Sequence, residues 1–125
     1  MKVSIALFSP SVAGKRFPET GENPGCGGTQ NVSVLLARSL GEAKPDWNIV
    51  LANNEQFRVD HLPPNVEIGL FDSLETWAIG FGGEGLDQAS LAIVPAAYLA
   101  KLSAVVQRTI APRTICWVHH PFWNI

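Results

Sequence analysis

Long apolar runs are missing from this 125-residue chain: the longest, Leu91 to Ala100, holds a proline and falls well short of the roughly 20 residues of a membrane-crossing helix. Cysteine is almost missing too. Cys26 and Cys116 are too few and too far apart to frame a disulfide scaffold. They read as reduced thiols in a cytoplasmic protein, with a peripheral seat on a membrane kept open. The apolar stretch Val3 to Phe8 is too short for a secretory leader. Charge is sparse, at 16% of residues against the usual one quarter or so, while 46% are hydrophobic. That balance excludes an intrinsically disordered chain. Lys and Arg number 9 against 11 Asp and Glu, and no basic cluster exceeds the pair Lys15-Arg16. A nucleic-acid partner is therefore not expected.

What is present is an alternation of short apolar runs with stretches of helical period. Val3 to Phe8 is a nearly continuous apolar run closed by Ser9-Pro10, the pattern of a strand covered on both faces. About twenty residues rich in Gly, Pro and Asn follow, a long structureless loop of the kind that usually carries function. A helix is predicted from Thr29 or Gln30 to about Lys44, with Thr29 as N-cap and Val32, Leu35, Leu36, Ser39 and Leu40 on its buried face. Asn48–Asn53 and Val66–Phe71 read as the second and third strands, Ser73–Gly80 as a short helix and Leu91–Val94 as the fourth strand. Ala96–Arg108 reads as another helix, and Thr114–Val118 as the fifth strand. This alternation predicts one α/β domain over residues 1–125, a three-layer Rossmann-like sandwich with a parallel sheet in strand order 3-2-1-4-5.

In such a sheet ligands bind beyond the carboxyl ends of the strands, near the point where strand order reverses. Two segments should meet there: the loop ending Gly25, Gly27, Gly28, Thr29, and the pair His119-His120 after the fifth strand. Glycines at a helix start let an anion approach unpaired N–H groups. The run "GCGGTQ" is neither a dinucleotide fingerprint, since Gln30 replaces the third glycine, nor a phosphate loop, since the lysine is missing. Two readings stay open, a plain turn into a helix and an anion cradle of another kind. His119 and His120 follow each other in extended chain, so one faces the ligand edge and the other does not. His61 is remote from them, and the cysteines lack ligand spacing, so no metal site is expected. Cys26 reads as a small loop residue more readily than as a nucleophile, and Glu19, Glu22 and Glu84 as solvated charges.

Together "KVSIALFSP", "GGTQNVSVLLARSLGE" and "ICWVHHPFW" resemble the N-terminal domain of GT-B-fold, family-4 retaining glycosyltransferases. The resemblance implies transfer of a sugar from a nucleoside-diphosphate sugar to a hydroxyl acceptor, without metal or other cofactor. It places Gly27, Gly28 and Thr29 by the donor diphosphate and His119 near the transferred sugar, with His120 the competing candidate. It also implies a second, donor-binding domain that these residues do not include. The chain then reads as an isolated half, inactive alone, that pairs with that domain or self-associates through its Phe122/Trp123 end. The rival reading is a non-catalytic module that binds a phosphorylated ligand or a partner.

Overall fold

The computed structural model describes residues 1–82, 90–95, 98, 100–104 and 114–117. Its elements are β1 (Lys2–Ala6), a 3-10 turn at Pro10–Val12, β2 (Arg16–Phe17), α1 (Gly28–Ala43), β3 (Asn48–Asn53), β4 (Arg58–Val59), β5 (Val66–Leu70), α2 (Leu74–Gly82), β6 (Ser90–Pro95) and β7 (Thr114–Trp117). Five of the strands form one sheet in the order β5-β3-β1-β6-β7, every neighbour parallel. The expected order of the five principal strands is the one found.

The alternation along each strand builds two unlike faces. On one side Val3, Ile5 and Leu7 of the first strand and its extension join Ile49, Leu51, Val66 and Ile93 in a core of branched side chains under α1. On the other, Ala6, Ala52 and Ala92 make a shallow bed that receives Trp77 of α2. The indole is 1% exposed, and its Nε1 donates to Ser4 Oγ at 2.8 Å. Small residues on this face are thus the counterpart of one large one, and the bond fixes the position of α2 along the sheet.

The buried face of α1 is rotated from the expected one. Ser33, Val34, Ala37 and Gly41 are its buried residues, whereas Val32 is 40% exposed and Ser39 is exposed. Small residues let the helix axis come close to the branched side chains beneath, and Leu36 and Leu40 flank that contact line as partly buried residues. Thr29 is not the N-cap. Gly27 takes that place in an extended conformation with no side-chain cap, and Thr29 lies in the first turn, its carbonyl accepting from Ser33 Oγ at 2.9 Å. At the other end the Asn65 side-chain amide donates to the carbonyls of Gly41, Lys44 and Trp47 at 3.2, 3.0 and 2.9 Å. It occupies acceptors that a helix end leaves open.

The loop after β1 is not structureless. β2 pairs in parallel with β4 as a separate two-stranded sheet. Further ties run from Gly14 N–H to the Gln56 carbonyl at 2.8 Å and from Asp60 N–H to the Phe17 carbonyl at 2.8 Å, and the Phe17 and Phe57 rings meet edge-on. A continuous helix over 96–108 is also not found. Ala100 and Lys101 form a turn in which Lys101 N–H bonds to the Tyr98 carbonyl at 3.0 Å, and Ser103 is not helical. The turn delivers Leu102 to the core under α2. Residues 96, 97, 99 and 105–108 of that segment lie outside the described residues.

Candidate functional site

Two residues beyond β1 the backbone is strained. Phe8 has φ of 42°, a region bulky side chains avoid. Asn53, fully buried at the end of β3, holds the next residue: its Oδ1 accepts from Ser9 N–H at 3.1 Å, and its Nδ2 donates to the Glu55 carbonyl at 2.8 Å. The chain therefore turns off β1 along a fixed path, with the Phe8 ring against Trp77 at 5.9 Å between centroids. Strain maintained by a buried bond network is the kind that accompanies ligand sites.

Beside Phe8 opens a cleft of about 260 Å³, lined by Phe8, Asn54, Asp72, Ser73, Leu74, Tyr98 and Lys101. These residues follow β1, β3, β5 and β6, so the cleft stands beyond the carboxyl ends of four strands. That is where an open parallel sheet places its ligands. Ser73 caps α2, its Oγ accepting from Thr76 N–H at 3.0 Å. Lys101 Nζ lies 5.2 Å from the centre of the Tyr98 ring. The cleft thus combines an ammonium, a phenol, a primary amide and a carboxylate with an apolar wall, a set that suits a small polar ligand.

The amino end of α1 is joined to this cleft. Gln30 Nε2 in the first turn donates to Tyr98 Oη at 3.4 Å. Before the helix, Asn23 Oδ1 accepts from Gly25 N–H and Cys26 N–H, both at 2.9 Å, and its Nδ2 donates to the Cys26 carbonyl at 2.9 Å. Gly25 needs its lack of a side chain, with φ of 99°. Gly28 does not: its φ is not positive, and a Cβ there would meet nothing. Its surroundings are open, as an approaching ligand requires.

Gly27, Gly28 and Thr29 therefore lie together at the start of α1, on the cleft side of the sheet's carboxyl edge. His119, His120, Phe122, Trp123 and Glu84 lie outside the described residues. Cys26 is half-buried, and burial pushes its thiol above the ordinary range, against the smaller opposing pull of Lys15. That direction favours the thiol over the thiolate that a nucleophile needs. His61 Nε2 stands 3.5 Å from Glu19 Oε2 on the surface, away from the cleft residues. No cluster of metal-ligating side chains occurs among the described residues, and none of their helices is long and apolar enough to cross a membrane. The sequence reading missed Asn54, Asp72, Tyr98 and Lys101, whose one shared signal is a place just after a strand. No protein family, curated protein or solved structure matches the chain.

Proposed function

We propose that this chain is a Rossmann-like, acceptor-side domain of a nucleotide-sugar-dependent glycosyltransferase, and that its carboxyl-edge cleft holds a phosphorylated sugar ligand. The observation that carries the reading is the Gln30–Tyr98 contact, which joins the uncapped, glycine-led start of α1 to a cleft bearing Lys101. Open N–H groups and an ammonium are the two parts a phosphate or diphosphate group needs, one giving directed donors and the other charge. At about 260 Å³ the cleft suits the sugar or phosphate portion of such a ligand rather than a whole nucleotide. In the transfer reaction, charge builds on the departing diphosphate as the glycosidic bond to it breaks. The amides of Gly28 and Thr29, with Lys101, would stabilise that charge. His119 or His120 would line the sugar side, as the resemblance implies.

The test is titration of the isotope-labelled chain with uridine and guanosine diphosphates. The expected result is displacement of the Gly28–Gln30 and Lys101 amide resonances, saturating in the millimolar range. One small site falls short of the roughly 8 kcal/mol of micromolar binding. Lys101→Met should weaken the response about tenfold or more, the loss of one charge-assisted contact. Resonances at α1 that ignore every diphosphate would sink the reading. Binding without transfer in the presence of a donor-binding domain would favour the non-catalytic phospho-ligand module instead.

A further inference from the structure

Strand β5 ends the sheet, and nothing among the described residues pairs with its outer side. Its bonds to β3 fix which groups face outward. Ile49 N–H donates to the Asn65 carbonyl and Phe71 N–H to the Asn53 carbonyl, each at 2.9 Å. In a parallel ladder this turns the main-chain groups of residues 65, 67, 69 and 71 toward β3 and those of Val66, Ile68 and Leu70 away from it. The Val66 amide is taken by the Pro63 carbonyl at 3.0 Å. The Val66 carbonyl and both groups of Ile68 and Leu70 remain as an open template.

Soluble proteins guard such edges with charged side chains, lysine above all, with proline or with a bulge. Val66–Leu70 has neither lysine nor proline, and Leu70 is 47% exposed. Its single charge is Glu67, on the face opposite the α1 core. That charge discriminates between pairings. An antiparallel pairing centred on Glu67 sets Glu67 beside Glu67. An antiparallel pairing centred on Ile68 sets Val66 against Leu70, Ile68 against Ile68, and Glu67 against Gly69, which presents no side chain. It also uses the outward groups, since Ile68 exchanges both bonds with its twin and each Leu70 amide reaches a Val66 carbonyl.

We propose that two copies of this chain join through β5, antiparallel across a two-fold axis at Ile68, into one continuous sheet. The contact is isologous and closes on itself. It does not depend on the proposed function.

Sedimentation and amide hydrogen exchange of the full chain test the pairing together. The expected result is a dimer at high micromolar concentration in which the Ile68 and Leu70 amides become protected as concentration rises. Glu67 and Gly69, bonded within the sheet, should be protected at every concentration. Leu70→Lys places an edge charge on an exposed position and should weaken the dimer about tenfold or more while leaving the melting temperature of the dilute chain unchanged. A monomer at all concentrations overturns the proposal. So does a dimer whose Ile68 and Leu70 amides exchange freely, which would assign self-association to another surface.

Discussion

Asn65 shows how much one side chain can hold. Its amide group serves the carbonyls of Gly41 and Lys44 at the end of α1 and of Trp47 in the turn beyond, and through its own position before β5 it ties that helix to the sheet edge. Asn65→Ala should cost about 1 kcal/mol, the ordinary net worth of hydrogen bonds to part-buried and exposed acceptors, read as a shift in the urea midpoint at unchanged slope. Arg16 and Asp60 make a different kind of tie. Arg16 Nε and Nη2 reach the Asp60 carboxylate at 3.0 Å and hold its pKa below the ordinary carboxylate value. A lowered folded pKa gives stability that is complete above the unfolded value of about 3.9 and fades as pH falls through the folded one. Arg16→Gln should bring the Asp60 midpoint, followed by carboxyl resonance, back toward that unfolded value. A midpoint that stays low would assign the shift to Arg58 and His61. Neither tie was legible in the sequence, because both join residues far apart in the chain. The glycines at 25, 27 and 28 were legible as a helix entrance, but only geometry separates Gly25, which must be glycine, from Gly28, which need not be.

At the scale of elements, the contact between α1 and the sheet turns on Gly41. A Cβ there would stand 2.5 Å from Val66 Cγ2 and 3.1 Å from two atoms of Pro63. Two effects oppose each other in Gly41→Ala: the helix gains about 1 kcal/mol of intrinsic preference, and overpacking costs about 1–3 kcal/mol. Because Val66 and Pro63 are held by the strand and the turn before it, the second should win. Chemical denaturation should show a net loss, and a more stable variant would mean that α1 can lift from the sheet. The same contact explains why the helix was legible in extent but not in orientation. Hydrophobicity pointed to Val32, Leu36 and Leu40, while the sheet selected the smallest side chains, Ser33, Ala37 and Gly41, for the closest approach. Strands were easier, since a short, nearly continuous apolar run closed by turn residues marks a strand covered on both faces. The paired β2 and β4 escaped notice because two residues carry no period, and the turn at Ala100–Ser103 because its composition still favours a helix.

For the whole molecule, the sheet order has a meaning in time. β1 lies at the centre, bonded on one side to β3 and on the other to β6. No two neighbours in the sheet are joined by a hairpin, so every pairing must close a long loop first, which makes for slow folding. A chain leaving the ribosome presents its most central strand before any partner exists. One flank of β1 stays bare until residues 48–53 have followed, and the other until residues 90–93 have. Through most of synthesis the future centre of the protein is thus an unpaired apolar edge, the species that chaperones bind and that aggregates when they do not. The strand made first thus waits for β6 before both its flanks are covered, so the handling of the nascent chain bears on how much of this protein accumulates.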